Sequence, residues 1–168
     1  MLKTFTANRP NVLRVIFFLF LFFILVQRGL KAQLTLQSSD TKSGSTSTVH
    51  SLTSVPAGAL LVLSTAAGSS QTNCTVSSSP SLTWSRKIEA TAASSGDAEI
   101  YTAVFTAGGS ISVTSNWGNQ QQASVCYVVT GQESTLAGAS NSATSQQYPS
   151  VAVTTTRANS ILFCGDTK

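Results

Sequence analysis

Apolar and polar residues alternate with a period of two along much of the chain after residue 46, which is the pattern of half-buried β-strands. In residues 99–106 the even-numbered side chains would share one face of a strand and the odd-numbered ones the other. A continuous apolar run at residues 59–63 and mostly apolar segments at 124–130 and 160–164 predict more deeply buried strands. With weaker strands at residues 48–52, 82–88, 111–114 and 151–154, we expect about eight strands and no amphipathic helix of useful length.

Two turns punctuate this pattern. The tetrapeptide Val55-Pro56-Ala57-Gly58 has the residues of a type I turn and precedes the strand that begins at Ala59. The tripeptide at residues 107–109 contains two glycines, and we expect it to close a hairpin between residues 99–106 and 111–114.

The N-terminus has a different character. An apolar run at residues 15–26 follows three basic residues and is followed by Leu30-Lys31-Ala32. This pattern predicts a helical signal peptide over residues 1–32, cleaved after Ala32, so that the protein is secreted or exposed at the cell surface. The alternative is an uncleaved leader, through which alone the protein would contact a membrane. The run is shorter than the about 20 apolar residues of a spanning helix, which favours cleavage.

Charge changes the picture once the leader is set aside. The whole chain has a formal net charge of +4, but five of its 10 Lys and Arg lie in the leader and all 6 acids follow it. The remainder is therefore close to neutral, which argues against a nucleic-acid partner.

Ser and Thr dominate the mature part, which we divide into a flexible segment at 33–45 and a single domain at 46–168. A disordered stalk carrying O-linked sugars is the alternative for residues 37–46 and 133–147.

Many short strands without helices predict an all-β protein, a single β-sandwich with Greek-key connections, with a closed barrel as the alternative. Either the fold ends on the strand at residues 160–164, or its last strands lie beyond the sequence. The order of segments resembles the immunoglobulin-like or fibronectin-like β-sandwich modules of bacterial secreted and cell-surface proteins. The segments that carry this resemblance are 55–58, 82–84, 100–109, 112–114 and 127–131. The resemblance implies an adhesive unit, a spacer or a glycan binder, and no catalytic residue.

The three cysteines allow at most one internal disulfide. Cys126 and Cys164 lie in strong predicted strands and are the favoured pair. A bridge between Cys74 and Cys126, or three reduced buried thiols, are the alternatives. The cysteines and the only histidine are too dispersed for a metal site, and we expect no cofactor.

Catalysis has weak support in the sequence. His50 could serve a Ser-His-Asp hydrolase, but no Gly-x-Ser-x-Gly motif occurs, and a solvent-facing histidine on an edge strand is the simpler interpretation. Asp97 and Glu99 could act as the carboxylate pair of a glycosidase, although a solvated pair that keeps a sheet edge soluble explains them better. We therefore predict a non-enzymatic protein.

Aromatic residues provide the one binding hypothesis. Trp117 followed by Asn119 and Gln121, and Tyr148 further along, have the composition of a glycan site, where sugar rings stack on exposed aromatic faces. We expect Trp84 instead to be the tryptophan of the sandwich core. The sequence thus predicts a non-catalytic module for adhesion or scaffolding, with a carbohydrate-binding module as the alternative; its partner would be a glycan or another cell-surface protein.

Overall fold

The computed structural model describes residues 33–44, 46–68, 73–92, 96–118, 120–132, 152–154 and 160–164. The chain divides into two compact units, Met1–Ala32 and Gln33–Lys168, and all of the described residues belong to the second. The predicted signal peptide therefore lies outside them. A search of the described residues for a helix long and apolar enough to cross a membrane found none.

The described residues form β-strands joined by turns and irregular segments, with no helix, which confirms the all-β prediction. The eight strands are β1 (Thr35–Gly44), β2 (Ser47–Val55), β3 (Ala59–Ala67), β4 (Thr75–Ser79), β5 (Ser85–Ala92), β6 (Gly96–Phe105), β7 (Gly109–Asn116) and β8 (Gln122–Thr130).

The strands form two antiparallel sheets. The five-stranded sheet has the order β1-β8-β3-β6-β5, and the three-stranded sheet has the order β2-β7-β4. The pairs β1–β8, β2–β7 and β3–β6 are nested in sequence, so that the first three strands pair in reverse order with three of the last strands. In an immunoglobulin fold the first two strands are neighbours in one sheet. Here β1 and β2 lie in different sheets, so the strand order differs from the one that the resemblance implies.

A turn precedes β3 as predicted, but it spans residues 56–59 rather than 55–58, and the positive φ of Gly58 at its third position excludes the predicted type I form. Gly58 adopts a φ of 77°, and the Ala59 amide donates a hydrogen bond to the Pro56 carbonyl at 3.2 Å. A positive φ is strained for residues with a side chain, which explains the glycine at this position.

The hairpin predicted at residues 107–109 is wrong, because β6 and β7 belong to different sheets. Gly108 and Gly109 have φ values of 71° and 100° and turn the chain from one sheet to the other. A Cβ atom on Gly108 would lie 2.7 Å from the Ala57 amide nitrogen. The local sequence specified a tight turn, but not which strand the next segment would pair with.

Alternate residues of both sheets point into the space between them and form the main core. Its buried members are Leu52, Val55, Ala59, Leu61, Leu63, Ala67, Cys74, Tyr101, Phe105, Ile111, Val113, Trp117, Cys126 and Val128. A smaller cluster lies on the opposite face of the five-stranded sheet, where Ile161 and Phe163 pack against buried Leu60, Val62 and Val129.

Several predictions of strand position are wrong, including the strand predicted at residues 151–154, of which the described residues 152–154 are not part of a strand. The segment at residues 33–45, predicted to be flexible, contains β1, which pairs with β8 along its length. Residues 160–164, predicted to be a strand, are not one, and instead cover the outer cluster. A strand was predicted over residues 82–88, but residues 82–84 are not part of it, because β5 begins at Ser85. The sequence analysis did not predict β4.

Candidate functional site

Polar side chains occupy one end of the space between the sheets. The register pairs Ala67 at the end of β3 with Asp97 near the start of β6 and with Gln122 at the start of β8. The connections β1–β2, β3–β4, β5–β6 and β7–β8 therefore lie at this end. The inward-facing polar residues here, termed the polar interior, are Thr48, His50, Thr65, Asp97, Glu99, Ser115, Gln122 and Ser124, each at most 4% exposed. Buried polar groups are costly unless they are hydrogen-bonded, so their arrangement is informative.

His50 is the centre of the polar interior. Its Nε2 atom lies 2.7 Å from Ser124 Oγ, and its Nδ1 atom lies 3.4 Å from Asp40 Oδ2. The expectation of a solvent-facing histidine is wrong, because the imidazole is 0% exposed. β2 is indeed an edge strand, but His50 lies on its inner face, in phase with Leu52.

Burial lowers the pKa of His50, because the charged imidazolium would lose its hydration. The neighbouring Asp40 carboxylate opposes this effect, and the Lys42 ammonium adds to it. The net result is a histidine that is neutral near pH 7 and can accept a proton at one ring nitrogen.

A chain of hydroxyl groups extends from His50 across the space between the sheets. Thr48 Oγ1 lies 2.5 Å from Ser124 Oγ and 2.7 Å from Ser115 Oγ. The Ser115 hydroxyl in turn donates to Gln122 Oε1 at 3.2 Å. Among the described residues, Gln122 Nε2 is a buried amide nitrogen for which no hydrogen-bond acceptor is found. The hydroxyl groups of Ser115, Thr48 and Ser124 thus form a continuous hydrogen-bonded chain between Gln122 and His50.

Ser124, His50 and Asp40 have the residue types and the order of contacts of a hydrolase triad. Ser124, however, is only 3% exposed, and its hydroxyl points into the space between the sheets. This burial argues against attack of the Ser124 hydroxyl on a substrate from solution. The sequence signal for this cluster was that Thr48 and His50 are spaced two residues apart from the apolar Leu52, so that all three share the buried face of β2.

A second group surrounds Glu99, which is 1% exposed. Its carboxylate accepts hydrogen bonds from Arg86 Nη1 at 3.0 Å, the Cys74 amide at 3.2 Å and the Tyr101 hydroxyl. The hydrogen bond from Arg86 to Glu99 raises the pKa of the guanidinium. The pKa of Tyr101 is also raised, mainly by burial and secondly by its own hydrogen bond to Glu99. Three hydrogen-bond donors therefore satisfy the buried carboxylate of Glu99 and fix its position.

The solvated carboxylate pair predicted at Asp97 and Glu99 is also wrong. Asp97, like Glu99, is 1% exposed, because β6 lies between β3 and β5 rather than at an edge of its sheet. Both side chains point inward from a single strand, whereas a glycosidase needs two carboxyl groups that flank a substrate.

The predicted glycan site does not present its main aromatic ring. Trp117 is 2% exposed, and its indole nitrogen donates a hydrogen bond to Thr65 Oγ1 at 2.8 Å. It cannot stack on a sugar in this position, because Trp117 follows the alternation of β7 and lies on the same buried side as Val113 and Ser115. Gln121 is exposed, and its carbonyl oxygen accepts a hydrogen bond from the Gly68 amide. Asn119 and Tyr148 lie outside the described residues.

The two tryptophans have exchanged their expected roles. Trp84, predicted to be buried in the core, is only partly buried, packs against the core cluster and donates to Ser78 Oγ at 3.3 Å. The fully buried tryptophan is Trp117, which closes the polar end of the core.

The favoured disulfide is wrong. Cys126 is 0% exposed and faces the main core, whereas Cys164 is exposed and lies among residues that cover the opposite face of the sheet. The two thiols are thus separated by the sheet, and both are free. Cys74 is free as well, and burial raises the pKa of Cys74 and Cys126 to about 12. The described residues contain no group of three potential metal ligands.

The outer face of the three-stranded sheet has an unusual composition. The register aligns its outward side chains in three rows across β2, β7 and β4, and we call these nine residues the hydroxyl face. The rows are Ser47–Asn116–Thr75, Val49–Thr114–Ser77 and Ser51–Ser112–Ser79. None of the nine is charged, seven bear a hydroxyl, and all are exposed or half-buried.

No protein-family model matches the sequence, and no curated protein or solved structure matches it.

Proposed function

We propose that the protein is a secreted or cell-surface adhesion module that contacts neutral polysaccharide through the hydroxyl face. The carrying observation is the aligned, uncharged array of hydroxyl groups on β2, β7 and β4. Neighbouring strands lie about 4.8 Å apart, and alternate residues of a strand lie about 6.8 Å apart. The array can therefore form many hydrogen bonds to the regularly spaced hydroxyl groups of a polysaccharide surface.

Charge and export support the same proposal. Carboxylates and ammonium groups would have to lose their hydration against a neutral surface, and the hydroxyl face contains neither. Adhesion to a polysaccharide outside the cell requires export, for which the leader at residues 1–32 provides the sequence argument.

The fold is compatible with this role. Nested pairing of β1 with β8, β2 with β7 and β3 with β6 resembles the topology of a jelly roll, apart from β5, which lies at the edge beside β6. Jelly rolls include lectin domains, although a shared fold does not establish a shared function.

Adsorption to insoluble cellulose tests the proposal. We expect the purified protein to be depleted from solution by cellulose, and Ser77→Lys to weaken this adsorption several-fold, because it places a charge in the middle row. The matched control is Ser39→Lys, at an exposed position on β1 of the other sheet. Absence of adsorption, or equal adsorption of the two variants, would overturn the proposal.

A further inference from the structure

The compact unit that contains the described residues begins at Gln33. Its carbonyl oxygen accepts a hydrogen bond from Thr35 Oγ1 at 3.2 Å, and a Cβ atom on Gly131 would lie 2.7 Å from its carbonyl carbon. The next residue, Leu34, packs against the cluster on the outer face of the five-stranded sheet. The backbone at the start of this unit is therefore held in place, whereas Gln33 itself is exposed to solvent.

The leader predicts cleavage at the same position. A cut after Ala32 would make Gln33 the first residue of the exported protein, with a free α-amino group. The peptide bond between residues 32 and 33 is thus the predicted end of the leader and also the boundary of the compact unit. Sequence and structure point independently to one N-terminal residue, and that residue is a glutamine.

We infer that Gln33 cyclises to pyroglutamate once the leader is removed, which rests on the export part of the proposed function. The α-amino nitrogen of Gln33 forms a bond to the Cδ atom of the same residue, and the bond from Cδ to Nε2 breaks. The α-amino nitrogen loses one proton, the departing nitrogen gains one, and one ammonia molecule leaves. The reaction therefore balances without an oxidant or a cofactor.

The position of the two reacting groups favours this reaction. The nucleophile and the electrophile belong to one residue and close a five-membered ring, so the reaction is intramolecular. An α-amino group titrates close to neutral pH, so part of it is an unprotonated nucleophile in solution. Because Gln33 is exposed, water can carry the proton from the α-amino nitrogen to the departing nitrogen.

Ring closure changes the chemistry of the N-terminus. The lactam is uncharged, whereas a free α-amino group is largely protonated at pH 7 and would place a charge beside Leu34 and its apolar cluster. Aminopeptidases require a free α-amino group, so the ring also blocks stepwise removal of residues from this end. That protection covers β1, an edge strand whose pairing with β8 begins at Thr35.

Amine labelling before digestion tests the inference on the full chain, expressed with its leader in a secreting host. The exported protein is incubated at neutral pH, unfolded, and treated with formaldehyde and cyanoborohydride, which dimethylate free amino groups. A protease that cleaves before aspartate then releases residues 33–39 and 40–96. We expect the peptide 33–39 to be unlabelled and lighter by one ammonia molecule. Lys42, in the second peptide, should be labelled, which shows that the reaction was complete.

The matched control is Gln33→Asn, which keeps the side-chain amide but is one methylene group too short to close the ring. Its first peptide should be labelled and keep its ammonia. A labelled peptide 33–39 from the unmodified protein would overturn the inference, and so would a first peptide that begins at any residue other than Gln33. These results do not depend on whether the variant is exported.

The proposed function is tested separately on the same preparation. A free α-amino group at Gln33 would overturn cyclisation and leave adhesion standing, because Gln33 is not part of the hydroxyl face. A first peptide that begins at Met1 would show a retained leader, and would overturn cyclisation and remove the export argument together. Adsorption to cellulose reports on the hydroxyl face in either case.

Discussion

Replacement of Trp117 by alanine tests the core role that the structure gives to this residue. The side chain is 2% exposed, packs in the main core and donates to Thr65 Oγ1 at 2.8 Å. A buried aromatic side chain removes about 150–250 Å² from water, which at about 25 cal/mol per Å² corresponds to about 4–6 kcal/mol. Measured replacements of buried Phe or Trp by Ala cost about 3–5 kcal/mol, and the lost hydrogen bond adds about 1 kcal/mol.

We therefore expect Trp117→Ala to lower the free energy of unfolding by about 4–5 kcal/mol. This is a large part of the about 5–15 kcal/mol that is typical of a folded domain. Urea unfolding followed by far-ultraviolet circular dichroism measures the change. If the alanine variant does not fold, Trp117→Phe keeps much of the ring but loses the donor to Thr65, and should cost about 1–3 kcal/mol.

Trp84→Ala is the matched control, because Trp84 is only partly buried and its hydrogen bond to Ser78 is longer, at 3.3 Å. We expect it to cost about half as much, since less of its surface is removed from water. If Trp117→Ala destabilised the protein less than Trp84→Ala, the assignment of Trp117 to the core would be refuted, and the stacking role predicted from the sequence would regain support.

Three further predictions concern titration, thiols and a turn. Because the pKa of His50 is lowered in the folded protein, the unfolded chain binds a proton at His50 more readily than the folded protein does. The contribution of His50 to stability should therefore be complete above pH 6.5 and be lost progressively below it. Chemical denaturation at several pH values should show a smaller loss of stability at low pH for His50→Gln than for the unmodified protein. A thiol-specific reagent should label Cys164 in the native protein, whereas Cys126, whose burial raises its pKa to about 12, should react only on unfolding; prompt labelling of both would contradict the assigned faces. Gly108→Ala should lower the melting temperature more than Gly109→Ala, because both positions have positive φ but only the first lacks room for a methyl group; equal shifts in a thermal melt would argue against the close approach at Gly108.

The strand content of this protein could be predicted from its sequence, since alternation and apolar runs depend only on neighbouring residues. The presence of a turn at Pro56 and Gly58 was predictable for the same reason, although it begins one residue later than predicted and is not of type I. The site was not predictable in this way. His50 and Ser124 are separated by 74 positions, and nothing local indicates that β2 and β8 will place them 2.7 Å apart.

The sequence by itself determined that the chain folds into strands and where most of them lie, because side-chain alternation is a local property of an extended backbone. Only the tertiary structure decided which strands pair and which face of each is buried, because pairing depends on contacts between distant segments. That decision placed Trp117 in the core, separated Cys126 from Cys164, and buried His50 in contact with Ser124. Because these polar groups are removed from water, they form hydrogen bonds with one another instead.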